Sequence, residues 1–67
     1  MKDISISRSE LEYRIEEWIL SERNRKILKR RLIDGICYEP LAEEFGLSVR
    51  QVKNIVYKGE KIIFSHL

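Results

Sequence analysis

Residues 38 to 57, YEPLAEEFGLSVRQVKNIVY, constrain this chain more than any other stretch. Two short apolar-periodic runs flank Gly46-Leu47-Ser48. Leu41, Ala42 and Phe45 fall at i, i+1 and i+4, which places them on one face of a helix. Val49, Val52, Ile55 and Val56 fall at i, i+3, i+6 and i+7, a second helical stripe. Gly46 can take the positive φ that ends one helix and turns the chain. Ser48 is placed to cap the next helix, its hydroxyl accepting a backbone N–H from the first turn. Two helices joined so tightly cross steeply, and Ala42 is the candidate small residue at the crossing. The pattern predicts a helix-turn-helix, the unit whose second helix lies in the DNA major groove.

Any small helical domain contains a helix, a glycine turn and another helix, so the turn alone does not choose DNA. The side chains of the second helix do more. Opposite its apolar stripe stand Arg50, Gln51, Lys53, Asn54, Tyr57 and Lys58, with no acid among them. Such donor-rich groups meet base edges and phosphates. The preceding helix carries Glu39, Glu43 and Glu44, so the basic character belongs to the second helix.

The segment LKRRLIDGICYEPLAEEFGLSVRQVKNIVYKGEK, within about residues 21 to 63, resembles the fourth region of bacterial RNA polymerase sigma factors. That family's pattern runs Leu, basic, Leu or Tyr, Asp-Gly, then Thr/Ser-Tyr-Glu-Glu-Ile-Ala, Gly-Leu-Ser, Val, basic. Response-regulator output domains of the LuxR type share much of it. Cys37 stands here where Thr or Ser is usual, and Pro40 where an acid is usual. The resemblance implies an all-helical domain with a helix-turn-helix that reads an upstream promoter element. The chain's length leaves no room for the region that reads the other element. The resemblance fades over residues 1 to 20, which form an N-terminal helix added to the sigma-like part.

Sixty-seven residues make one domain with a small core, only marginally stable by itself. The composition, 43% hydrophobic and 36% charged, is that of a globular helical chain rather than a disordered one. The net charge of +2 hides an asymmetry. Residues 1 to 22 hold three basic and six acidic side chains, and residues 23 to 67 hold ten and five, giving −3 and +5. Affinity for DNA rests on cations meeting phosphates, so binding would use the second part. The plainer reading is that acidic and basic helices pair with each other.

Four helices follow from the pattern. Ser7 and Glu10 make an S-x-x-E capping box, with Ile6 and Leu11 spaced as a hydrophobic staple. The first helix is expected over about Arg8 to Leu20, with Leu11, Ile15, Trp18 and Ile19 facing the core and Glu10, Glu12, Glu16 and Glu17 outside. Ser21 caps a second helix, about Glu22 to Asp34, which buries Ile27, Leu28 and Leu32 and stops at Gly35. Its six cations (Arg23, Arg25, Lys26, Lys29, Arg30 and Arg31) go round the helix, some toward helix-one carboxylates and some toward phosphate. The third helix starts near Cys37 to Pro40. Proline fits only a first turn and disfavours a helical residue before it, which makes Glu39 the expected cap. The fourth helix runs from Val49 to about Phe64, with Gly59 marking either a close helix contact or a kink. Ile62, Ile63, Phe64 and Leu67 form an apolar tail that either closes the core against Trp18 or meets a partner. His66 is expected to face solvent.

No catalytic constellation, phosphate loop or metal-ligand cluster is visible, so neither an enzyme nor a cofactor is expected. One cysteine forms no internal disulfide, and Cys37 with His66 makes no structural zinc site. No run is long enough for a membrane span and MKDISISR is no signal peptide, so a cytoplasmic place is expected. The expected architecture is an all-α bundle of about four helices with a helix-turn-helix, and the expected function is sequence-specific regulation of transcription on duplex DNA. Arg50, Gln51 and Asn54 are the candidate base contacts; Ser48, Lys53, Tyr57 and Lys58 are the candidates for phosphate or groove edge. The competing reading is an interaction module that docks on RNA polymerase or another transcription protein without reading DNA. A homodimer is a further candidate assembly, and no small-molecule substrate is expected.

Overall fold

The computed structural model describes residues 7 to 65. These residues form four helices: α1 (Arg8–Trp18), α2 (Glu22–Leu32), α3 (Tyr38–Phe45) and α4 (Val49–Phe64). The architecture is all-α, as the periodicity predicts. The expected staple between Ile6 and Leu11, and the places of His66 and Leu67, lie outside the described residues.

Serine opens three of the four helices. Ser7 Oγ accepts from the Glu10 N–H, Ser21 Oγ from Asn24 and Ser48 Oγ from Gln51, at 3.2, 3.3 and 3.1 Å. Each such cap stabilises its helix by about 1 kcal/mol. In α1 the cap is made, while the Glu10 carboxylate pairs with Arg14 one turn on.

α1 ends at Trp18, two residues before the expected stop, and Ile19 is already extended. Arg25 explains the early end. Its guanidinium donates to the carbonyls of Ile19 and Leu20, at 2.7 and 3.3 Å, and so satisfies the backbone that leaves the helix. α2 likewise stops at Leu32 rather than Asp34. Gly35 then takes φ +72°, and the Ile36 N–H reaches back to the Arg30 carbonyl.

α3 begins two residues earlier than a Glu39 cap allows. Cys37 is the capping residue, without a side-chain cap bond, and Tyr38 and Glu39 are helical. Pro40 is the third helical residue, still within the first turn, whose N–H groups have no intrahelical acceptor to lose. The local bias against a helical Glu39 is therefore overridden, and helix packing begins at Tyr38.

Packing is organised on α4, which touches all three other helices and meets α2 and α3 most extensively. The core is Ile15, Ile19, Ile27, Leu28, Leu41, Ala42, Val52, Val56 and Ile63, and no buried side chain among the described residues is polar. Trp18 departs from expectation: it is 42% exposed, on the flank of the α1 stripe whose centre is Ile15. The apolar tail divides. Ile63 is fully buried, whereas Ile62 and Phe64 stay 40% and 42% exposed. Gly59 is the close contact and not a kink, since α4 runs unbroken through it. A Cβ built there would lie 2.5 Å from Leu28 Cδ1, so only glycine lets α4 approach α2 this closely.

Candidate nucleic-acid interface

The turn between α3 and α4 is satisfied on both sides. Gly46 takes φ +66°, in the left-handed region. The Leu47 N–H donates to the Ala42 carbonyl at 2.9 Å, and the Gly46 N–H to Glu43 at 3.4 Å, the paired bonds of a Schellman closure. Two residues after Gly46, Ser48 opens α4 with a full capping box. The Ser48 hydroxyl accepts from the Gln51 N–H, and Gln51 Oε1 accepts from the Ser48 N–H at 2.9 Å. Leu41, Ala42, Val52 and Val56 are buried in one cluster, so the inner faces of α3 and α4 are fixed against each other.

That packing turns the other face of α4 outward. Arg50, Gln51, Lys53, Asn54, Tyr57 and Lys58 are all exposed, and Lys61 continues the row. Arg50, Asn54 and Lys58 succeed one another at four-residue spacing along one edge. Lys53 lies on the other edge, its ammonium 5.6 Å from the centre of the Tyr38 ring. Among the described residues none of these cations forms an ion pair. The two polar groups at the helix start have a structural duty as well. The Gln51 amide oxygen is engaged in the cap, which leaves its NH₂ group facing out as a donor, and the Ser48 hydroxyl retains its proton to donate.

The cations of α2 are placed differently. Arg25 is bound to the two carbonyls after α1, and Arg31 donates to the Ile36 carbonyl at 3.1 Å. Lys29 pairs with Glu16 of α1. Arg30 Nε lies 2.9 Å from Glu44 Oε1 of α3, a charge pair rather than an aligned hydrogen bond. The Glu16 carboxyl is held below its ordinary range, first by the hydrogen bond from Lys29 and next by that ammonium's charge. Lys26 and Arg23 remain the outward cations of this helix, with Arg23 resting on the Asn24 side chain. The expectation that some α2 cations reach helix-one carboxylates holds for Lys29; Arg25, Arg30 and Arg31 find α3 or the backbone instead.

Tyr38 carries a part that the sequence reading did not assign. Its half-buried ring lies under the Arg31 guanidinium at 4.4 Å, while Lys53 approaches it from α4. One aromatic ring thus gathers cations from α2 and α4 at the start of α3. The signal available in sequence was Tyr38 at the head of an amphipathic helix that follows a strongly basic one.

No group of three His, Cys, Asp or Glu side chains among the described residues is arranged to hold a metal ion. None of the helices is long and apolar enough to cross a membrane. No family model, curated protein or solved structure matches the chain.

Proposed function

We propose that the protein is a helix-turn-helix DNA-binding regulator of transcription, with α4 lying in the major groove of duplex DNA. The observation that carries this reading is the outward face of α4. From Arg50 to Lys58 it presents exposed donors, holds no acid, and gives its cations no anionic partner among the described residues. Arg50 and Asn54 are the base-reading side chains, Arg suited to guanine and Asn to adenine, and the Gln51 amide NH₂ adds a donor beside them. Lys53, Tyr57 and Lys58 flank them toward the backbone. The capped start of α4 at Ser48 directs its helix dipole and hydroxyl toward a phosphate. The likeness of residues 21 to 63 to sigma region four supports a promoter element as the target.

Selection of bound sites from random-sequence duplexes, followed by a salt titration, tests the reading. A recurrent site is expected, with log affinity falling by about 0.9 per phosphate contact for each unit of log salt. Affinity that stays flat from low to moderate salt, or no recurrent site, refutes it.

A further inference from the structure

One cation on the outward face of α4 is held from another helix. The Lys53 ammonium lies 5.6 Å from the centre of the ring of Tyr38, the first residue of α3. That is within reach of a cation–π attraction. Among the described residues no ring or acid engages Arg50 or Lys58 in this way. Nor does α4 itself fix Lys53. Three and four positions away stand Val49, Arg50, Val56 and Tyr57, with no acid among them.

The ring is a firm support. Tyr38 is half-buried and packs against the core, and Leu41 and Ala42, one turn on along the same face of α3, are buried. The ring also meets the Arg31 guanidinium at 4.4 Å, and that group is tied in turn to the Ile36 carbonyl. Its place is therefore set by α2 and α3 before Lys53 arrives.

Position gives the contact its use. Lys53 lies on the edge of α4 that faces Tyr38, away from the row of Arg50, Asn54 and Lys58. In a helix-turn-helix the first helix crosses the DNA backbone while the second reads the bases. An ammonium drawn toward α3 is thus drawn to the phosphate side. It can keep a ring face and still donate its N–H groups to an oxygen. A free lysine gives up much side-chain freedom on meeting a phosphate; one already held gives up less and binds more tightly for it. We propose that Tyr38 is a positioning residue, whose ring holds Lys53 ready for a backbone phosphate and so strengthens binding to duplex DNA of any sequence. This role rests on the DNA reading above.

Two measurements on the full 67-residue chain test it. In the free protein, proton NMR compares the side-chain methylenes of Lys53 and Lys58. The ring should shift those of Lys53 upfield. Tyr38→Leu should abolish that shift and Tyr38→Phe should keep it, because the ring face and not the hydroxyl does the holding. On a mixed-sequence duplex, Tyr38→Leu should weaken binding by about threefold, the worth of one exposed cation–π contact, while Tyr38→Phe matches the parent. The log–log salt slope should be unchanged in Tyr38→Leu, where the phosphate contact remains, and shallower by about 0.9 in Lys53→Ala, where it is lost. In double-variant cycles the Tyr38→Leu loss should vanish on a Lys53→Ala background and persist in full on Lys58→Ala. A leucine that merely loosened the fold would cost the same on both. Lys53 methylenes that match those of Lys58, a Tyr38→Phe as weak as Tyr38→Leu, or a loss that persists on Lys53→Ala would overturn the positioning and leave the DNA reading standing. A parent chain that binds no duplex at low salt overturns the DNA reading and the role of Tyr38 with it, a failure told apart from the others because the parent itself does not bind.

Discussion

α2 and α4 are both basic helices, yet their cations are placed to opposite ends. Between Arg23 and Arg31, α2 carries six cations, more than α4 holds along its whole length. Four of the six are spent inside the molecule, on Glu16, on Glu44 and on carbonyls at helix ends. The cations of α4 stand on an outward face that holds no acid from Arg50 to Lys58. Charge count would point a reader to α2; charge pairing points to α4. A cation already neutralised by its own chain must give up that partner before it can meet a phosphate, so the unpaired helix is the better place to look for binding.

Removing side chains from each helix in turn is the strongest way to break this contrast. Arg50→Ala with Asn54→Ala should lower duplex affinity by about a hundredfold, since each base contact contributes ~1–3 kcal/mol. The urea midpoint should hold, because both side chains are exposed. Lys29→Ala with Arg31→Ala should do the reverse, lowering stability by about 1–2 kcal/mol through the lost carbonyl bond and the Tyr38 contact. Their effect on DNA should be the smaller one. Equal losses of affinity from the two pairs would erase the distinction between the helices.

A smaller effect is expected where the two helices touch. Gly59→Ala gains helix propensity of roughly 1 kcal/mol, but its Cβ meets Leu28, whose side chain is fully buried. Overpacking of this kind costs roughly 1–3 kcal/mol, so the net change is destabilising by about 1 kcal/mol. Urea or thermal melts read it directly, and a variant more stable than the parent would show that α2 and α4 have slack between them.

The smallest effect sharpens the account of Lys29. The Glu16 carboxyl is depressed in the folded chain below its ordinary value of 4.5. A depressed acid contributes stability that is present above its unfolded pKa and is lost as pH falls through the folded pKa. Stability should therefore decline on the acid side of that ordinary value. In Glu16→Gln the part due to this pair should be absent. Because the pair lies in solvent, the difference should be slight and should shrink with added salt. Parallel pH profiles for parent and variant would mean that Lys29 is not held by Glu16 in solution.

The helices, their serine caps and the Gly46 turn were all readable in the sequence, because each rests on residues within one turn of one another. Gly59 was readable as a special position, but its meaning waited on Leu28, thirty-one residues earlier in the chain. Trp18 was misplaced because it shares the α1 stripe by spacing; only the early end of the helix and the loop after it set how far that flank is covered. Glu39 was misassigned because a dipeptide bias was weighed without the packing that starts α3 at Tyr38. For the candidate site, the outward row from Arg50 to Lys58 followed from periodicity. The pairing of the α2 cations did not, since their partners come from α1, the α1–α2 turn, the α2–α3 loop and α3.

The closure at Gly46 and the capping box at Ser48 leave no slack in the link between α3 and α4. Neighbouring residues set the direction in which α4 leaves the turn, through bonds that span at most five positions. Aim and endurance are then separable properties of the molecule. Loosening α1 would shorten the life of the folded state while the α3–α4 corner keeps its angle for as long as it is folded. Lengthening the turn by a residue would swing the outward face to a new bearing even in a chain that melts as before. The corner behaves as a transferable part, and the rest of the bundle as its mount.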